Sequence, residues 1–343
     1  VSFKKRVYRP KRQVISVGNI ALGGSGKTPM VMWLARELYR RNFTPIIIMR
    51  GYGGRILGPI IVEDSFTTLD VGDEAKMVFH HFQRDGIKVK VVIGRSKKEA
   101  VKWYEERFKL IKGEGARREV FIIDDGHQHV SLARDLNILL LDVSSKRSIN
   151  RLLTGWPLPF GLLRESLTAG LNRADIVFFS LRGSRKVENE PFLSLRTKVA
   201  KFQLRTFSSN VKVKALSFFK VTCGDDLFPQ VKPLEENTRQ VIAFSGIAGG
   251  EVFTETLRSI GYEVLKSFRF GDHHRFTREE LDKLLKIGEK LGAGGLVCTE
   301  KDFVKVKEVW GGMNGVIGYS EVAMEVLENK SDEFIEEILR DLG

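Results

Sequence analysis

QVISVGNIALGGSGKTPMVMWLAR, residues 13–36, decides the fold: an apolar run, a glycine-rich loop closing in Gly26-Lys27-Thr28, then an amphipathic helical stretch. That is the outline of a phosphate-binding loop. A strand aims the chain, glycines let backbone N–H groups converge on an anion, and a helix N-terminus adds the positive end of its dipole. Gly23, Gly24, Ser25, Gly26, Lys27 and Thr28 are the candidate nucleotide contacts. Lys27 would reach the outer phosphates and the Thr28 hydroxyl a magnesium ion. The usual spacing has a glycine five positions before Gly26, where this chain has Ala21. A glycine-rich turn without a ligand is the alternative. The strand before GKT, the helix after it, and Pro29 in the first turn, where a missing N–H is no loss, favour the phosphate loop.

At 343 residues the chain is long for one core, and its length predicts two domains. With 42% hydrophobic and 29% charged residues it reads as soluble and globular, which favours neither the disordered nor the fibrous class. Cys223 and Cys298 are too few and too separated for a disulfide framework or a thiolate metal site, so a reducing cytoplasm is the expected compartment. The net charge of +13 calls for a polyanion: nucleic acid, anionic lipid or a phosphorylated small molecule. The opening VSFKKRVYRPKR carries six cations and no acid. It suits an anionic membrane surface at about 1 kcal/mol per cation, or is a solvated basic tail. No run approaches the ~20 apolar residues that cross a bilayer, and no cleavable signal pattern is visible, so any membrane role is expected to be peripheral. The chain opens at Val1 rather than methionine, which leaves room for an upstream segment, a membrane helix among the candidates.

Apolar runs bounded by turn signals predict core strands at 45–49, 88–93, 120–123, 136–141 and 174–180, the last of these closing the first domain. RGYGG at 50–54 is a flexible basic turn. Gly72-Asp73-Glu74 opens a helix to about residue 84, with Asp73 predicted as its N-cap. A further helix is predicted over 95–110. The strand at 120–123 runs into Asp124-Asp125-Gly126, the place where a nucleotide enzyme holds magnesium. Adjacent side chains leave a strand on opposite sides, so one can take the metal and the other orient a ligand; two solvated turn aspartates are the alternative. His127 and His129 also fit a transition-metal pair, but no further His/Cys cluster accompanies them and a hard magnesium ion prefers oxygen. One histidine on the substrate is the preferred reading.

TGWPLPFGLLRE at 154–165 is apolar around one Arg164-Glu165 pair, which fits a lipid-facing rim or a loop packed under a helix. From 181 to 238 the helical pattern weakens, and 198–207 and 211–221 alternate like strands. A second α/β unit opens at 239 with QVIAFSGIAGG, a helix over 251–260, a strand at 264–270, GDHHRF at 271–276, a helix from Thr277, GLVCTEKD at 295–302 and a charged helix at 331–342. The expected fold is therefore α/β: a P-loop NTPase-like parallel-sheet domain at 1–185, a short β-rich linker at 186–238, and a smaller α/β domain at 239–343 that completes the active site.

These blocks, in this order, resemble the tetraacyldisaccharide 4′-kinase family: VGNIALGGSGKTP at 17–29, RGYGG, VGDEA at 71–75, IIDDGHQH at 122–129, RDLNILLLD at 134–142, LPFGLLRES at 158–166, AFSGIA at 243–248, GDHHRF and TEKD at 299–302. The resemblance covers nearly the whole chain. It implies transfer of the γ-phosphate of ATP to the 4′-hydroxyl of a tetraacylated disaccharide 1-phosphate at the cytoplasmic face of the inner membrane. By resemblance Lys27 binds the outer phosphates, Thr28 and Asp125 bind Mg2+, Asp124 supports that site, and Asp73 is the catalytic base tuned by His273. Arg50, His129, Arg164 and Glu165 stand as candidate substrate contacts. The protein is expected to act as a peripheral monomer with an acylated disaccharide phosphate and an anionic membrane surface as partners, and no nucleic acid. Ala75, Gly271, His127, Ser166 and Phe276 depart from the family pattern, beside the reacting groups rather than at them. The runner-up is a partition-type nucleotide-switch ATPase, which carries lysine where this chain has Leu22. A nucleic-acid-binding module rests on charge alone.

Overall fold

Short apolar runs alternating with amphipathic stretches fold into strands covered by helices in the computed structural model, which describes residues 7–109, 117–182, 190–222, 230–233, 239–247, 250–311 and 313–343. Strand β1 (Gln13–Asn19) leads through the glycine loop into α1 (Lys27–Arg40) and β2 (Phe43–Met49). A short β3 (Ile60–Ile61) and α2 (Thr68–Val71) precede α3 (Asp73–Arg84). Next come β4 (Lys90–Ile93), α4 (Lys97–Arg107), β5 (Arg118–Asp124) and β6 (Leu136–Asp142). They are followed by α5 (Lys146–Thr154), α6 (Leu167–Leu171) and β7 (Ile176–Arg182). The middle of the chain forms α7 (Glu190–Ala200), β8 (Arg205–Thr222) and β9 (Gln230–Pro233). The last third forms β10 (Gln240–Ser245), α8 (Gly250–Ser259), β11 (Glu263–Arg269), α9 (Arg278–Leu291), β12 (Gly295–Thr299), α10 (Glu300–Val309), β13 (Gly315–Val326) and α11 (Ser331–Asp341).

The strands join one sheet in the order β11-β10-β12-β13-β8-β7-β6-β1-β5-β2-β4-β3, with β9 on β8. β1 lies parallel between β5 and β6. The chain leaves it toward β2 on one side while β6 and β7 build the other, so the loop after β1 opens at the carboxyl ends of the strands, where such sheets bind ligands. Both faces of β1 are covered: Ile15 and Val17 join the core under α1 and α3, and Val14 the core under α4. Two-sided burial is why these strands read as continuous apolar runs.

The middle segment differs from the expectation. Residues 198–200 are helical, because Leu195 and Val199, four apart, bury one face of α7 with Val177 and Phe179. β8 continues the sheet: its first half is parallel to β7 and most of its length antiparallel to β13. The expected boundary at 185 falls in 183–189, and other parts of the expected linker in 223–229 and 234–238, outside the described residues. α11, expected in the second domain, packs Phe334, Ile335 and Ile338 into the core under α1, with Phe334 stacked 5.7 Å from Trp33.

The basic start also resolves differently in part. Residues 1–6, which hold three of its six cations, lie outside the described residues, as do 248–249 of the second glycine turn. Arg12 is buried: its Nε and Nη2 donate to Glu119 at 2.8 and 2.6 Å, and Nη2 also to the Phe108 carbonyl at 2.7 Å. Burial alone would raise the Glu119 carboxyl, but bonds from Arg12 and Tyr104 hold it below its ordinary range. Arg12→Ala would leave Glu119 with Lys90, 3.5 Å away, as its remaining cation and is expected to destabilise the fold by about 3 kcal/mol in urea unfolding, the low end for a broken buried pair. The exposed neighbour change Lys11→Ala should have little effect.

Candidate active site

Gly26 caps α1 in the left-handed region (φ 81°), and Gly23 is left-handed as well (φ 108°). A side chain at Gly26 would also meet Ser180 Oγ at 3.1 Å and Val211 at 3.0 Å, so both space and backbone angle demand glycine there. The loop thus turns its backbone sharply into α1 and leaves the first-turn N–H groups facing outward, with no side-chain cap on them. Ser25 is buried and its Oγ has no partner. A buried hydroxyl without a partner beside uncapped helix amides fits a phosphate.

Lys27 lies 3.6 Å from Asp125 Oδ1, and Arg164 Nη1 donates to both Asp125 oxygens at 2.7 Å. Burial pushes Asp125 up, but Lys27 and Arg164 more than offset it and hold the carboxyl below its ordinary range. Asp125 reaches this position in a left-handed conformation (φ 52°) just beyond β5. Asp124, the last residue of β5, is buried with Oδ1 unpartnered, and burial raises it to about 6 despite the nearby Lys97. No cluster of three or more His, Cys, Asp or Glu that could hold a metal alone exists among the described residues. The two adjacent carboxylates of Asp124, with its unpartnered Oδ1, and Asp125 beside Lys27 fit magnesium, which takes one or two carboxylates and completes its shell with phosphate oxygens and water.

The second group of candidates forms where the two ends of the chain meet. Asp73 opens α3 rather than capping it: the N-cap is Gly72 at φ 87°, whose Cβ would sit 2.4 Å from the Tyr52 carbonyl. The RGYGG turn packs against that residue too closely for an aspartate. The buried Asp73 accepts from the Glu74 N–H at 2.9 Å and lies 2.8 Å from His273 Nδ1. Two hundred residues of sequence separate the pair. His273 is left-handed (φ 60°), its N–H donates to the Gly246 carbonyl at 3.2 Å, and its ring lies 5.6 Å from that of Tyr52. Glu74 links the groups electrostatically, since it raises Asp124 and also acts on Lys97.

The remaining candidates divide. Burial, then Lys97, pushes His129 below its ordinary range, so it stands neutral near Asp125. Arg50 is exposed at the end of β2 and acts electrostatically on both Lys97 and His129. Glu165 is engaged by Arg173 and by Gln128 Nε2 at 2.9 Å. His127 is a strut: fully buried, with Nε2 3.1 Å from the Gly170 carbonyl and Nδ1 against Asn137.

Two cations absent from the sequence reading belong to the site. Lys97 is buried at the start of α4, donates to the Ile48 carbonyl at 3.2 Å, and is brought down to about 8 by burial, with Asp124 and Asp125 opposing the shift. Lys301 Nζ, in the first turn of α10, lies 3.7 Å from Asp73, 3.5 Å from Glu74 and 4.0 Å from Asp272. Lysines at helix starts ordinarily read as solvated, so only the inclusion of Lys301 in TEKD marked it.

α10 docks on α3 through more than Lys301. Glu300 is 2.8 Å from His81 Nδ1, whose Nε2 is 2.8 Å from Arg36 of α1, and Glu308 accepts from the Thr68 N–H at 2.6 Å. His80 sits in this contact, lowered to about 4 by burial, then by Lys307, Arg84 and Lys76, with only Asp64 opposing. Its folded value lies below the ordinary 6.5, so the unfolded chain takes up the proton first. Stability is then lost as pH falls from 6.5 toward 4. His80→Gln should flatten the pH dependence of urea midpoints across that window.

A strand, a glycine loop capping a helix, and acids at the end of the neighbouring strand make this an α/β protein of the P-loop NTPase-like class. The family model for tetraacyldisaccharide-1-P 4′-kinase matches residues 2–341, and the chain belongs to that family, the kinases of lipid A biosynthesis. It is 33% identical over 308 residues to the tetraacyldisaccharide 4′-kinase of Bradyrhizobium diazoefficiens, covering 90% of this chain and 78% of that one. To the kinase of Geobacter metallireducens it is 32% identical over 333 residues, covering 95% and 87%. The crystal structure of LpxK from Aquifex aeolicus in complex with ATP has the same fold, with TM-score 0.67 at 25% identity over 98% of this chain and 91% of that one.

Proposed function

We propose that this kinase transfers the γ-phosphate of ATP to the 4′-hydroxyl of tetraacyldisaccharide 1-phosphate, with Asp73 as general base. The observation that carries the reading is the Asp73–His273 contact at 2.8 Å, next to Glu74, whose charge acts on Asp124 at the end of β5. A sugar hydroxyl needs an acceptor for its proton within hydrogen-bond reach, and a buried carboxylate at a helix start, braced by an imidazole and by Lys301, supplies one. His273 positions Asp73 from the far half of the chain. Lys27 meets charge developing on the transferred phosphoryl, and the backbone N–H groups of residues 23–28 hold the outer phosphates. Thr28 and Asp125, supported by Asp124, would hold Mg2+, which neutralises phosphate charge when bound. Arg50, His129 and Arg164 are poised for the acceptor, while Glu165 holds Arg173 and Gln128 in place.

The proposal extends to organisation. Residues 1–185, with α11 packed back under α1, would act as the nucleotide half and the rest of 239–343 as the half that brings His273, joined by the β-rich segment 186–238; holding the halves apart by a cross-link should abolish turnover. The protein would work as a monomer, peripheral to the cytoplasmic face of the inner membrane. No helix among the described residues is long and apolar enough to cross a membrane. The test is incubation with γ-labelled ATP, Mg2+ and the acylated disaccharide monophosphate in detergent. Label on the lipid is the expected result; label released only as inorganic phosphate would overturn the reading.

A further inference from the structure

We propose that the loop joining α5 to α6, residues 155–166, is the element that seats this protein on an anionic phospholipid bilayer, with Trp156 and Phe160 entering the interface. The inference rests on the kinase reading for its biological sense, but its observations stand apart from the catalytic groups. Trp156 is 70% exposed, Leu158 52%, Phe160 86% and Leu162 46%, four large apolar side chains within seven residues. They are displayed by a closed loop. Leu158 N–H donates to the Leu163 carbonyl at 2.8 Å, Leu163 N–H to Trp156 at 3.2 Å, and the Phe160 and Gly161 N–H groups to Pro157 at 3.1 Å. Gly161 lies so close that a Cβ there would be 2.1 Å from the Trp156 carbonyl. Four backbone N–H groups are thus satisfied within the loop, which holds its turn without burying the four apolar side chains.

The loop is tied to the site at its base. Leu22 N–H donates to the Leu162 carbonyl at 2.9 Å, and Arg164 N–H to Ile20 at 2.7 Å while its guanidinium holds Asp125. The apolar tip therefore projects from the sheet edge where the glycine loop lies. Its base matches an anionic surface: α5 carries Lys146, Arg147 and Arg151 and no Asp or Glu, while within the loop Arg164 and Glu165 are each paired, with Asp125 and Arg173. An aromatic and leucine-rich tip on a cationic base is the composition that partitions to a headgroup boundary.

Geometry also separates this loop from the basic start of the chain. Tyr8 N–H donates to Ser131, next to the turn that leads into β6, and the chain then passes the buried Arg12 into β1. The seven residues of β1 set that entry roughly 20 Å from the glycine loop. A membrane held only by residues 7–12 would leave the site on the far edge. Trp156 and Phe160, 70% and 86% exposed, have little protein surface around them to enclose an acyl chain, whereas ligand pockets are concave. A two-fold contact with a second copy would bring the cationic bases together.

The test uses the full chain and vesicles of phosphatidylcholine and phosphatidylglycerol in equal parts, without ATP or acceptor. The double variant Trp156→Ser/Phe160→Ser should bind vesicles about tenfold more weakly or worse, with its thermal midpoint and its turnover of detergent-dispersed acceptor retained. In the unaltered protein, brominated lipid should quench tryptophan emission, and Trp156→Phe should remove that quenching while keeping the apolar surface. Unchanged vesicle binding by the double variant, or no quenching in the unaltered protein, would overturn the proposal. So would unchanged binding with a raised KM for the acceptor, which assigns the loop to acyl chains, or a dimer in solution that the double variant abolishes. A chain that bound vesicles through this loop yet transferred no phosphate would overturn the kinase reading and leave the docking loop standing.

Discussion

Asp73→Asn is expected to lower kcat by about 10²- to 10⁴-fold, the range for loss of a positioned general base, with nucleotide affinity little changed. The amide is close in shape and can keep the contact with the Glu74 N–H, now 2.9 Å, but it cannot take the proton of an incoming hydroxyl. Because Asp73 stands at the start of α3 and not on the glycine loop, its loss should appear in the chemical step alone, read by single-turnover transfer to the lipid acceptor. His273 and Lys301 reach Asp73 from 2.8 and 3.7 Å and would act through it. His273→Ala and Lys301→Met should therefore cost less individually, and each should cost nearly nothing further in the Asp73→Asn background. A wild-type rate in Asp73→Asn would remove it as the base.

Lys27→Ala should lower kcat/KM by on the order of 10³-fold, as expected when a preorganised charge at the developing anion is removed. Its ammonium is held 3.6 Å from Asp125, which fixes the side chain across the mouth of the loop before any ligand arrives. Without it, Asp125 keeps Arg164 as its counter-ion, so the fold should survive and the loss should be one of transfer rather than of stability. Lys27→Arg should not restore the rate, since a planar fork cannot replace a compact ammonium at that point. Nucleotide binding and single-turnover transfer measured on both variants check this, and retention of transfer by Lys27→Ala would remove it from phosphate contact.

Much of the architecture was legible because the local signals agreed. The apolar runs that became β1, β2, β5, β6 and β7 are buried on both faces, and Thr277 with Glu280 closes the capping box that starts α9. Where the reading failed, the competing force lay far away in sequence. Asp73 looked like a cap until the RGYGG turn packed against Gly72. Arg12 looked solvated until Glu119 and Phe108 surrounded it. Residues 198–200 alternated like a strand, but burial of Leu195 and Val199 made the segment helical.

From the sequence alone follow a phosphate loop at 13–36, acids ending the strand at 124–125, and a family resemblance carried by ordered blocks. These are local: a few neighbouring residues suffice to set a glycine turn or a strand end. Tertiary structure alone decided that α10 lays Lys301 beside Asp73, that Lys97 is buried next to Asp124, and that the apolar loop at 155–166 stands at the edge of the glycine loop. Such pairings depend on which strands lie side by side, and the burial that sets a side chain's charge, partner and exposure comes from segments more than two hundred residues away.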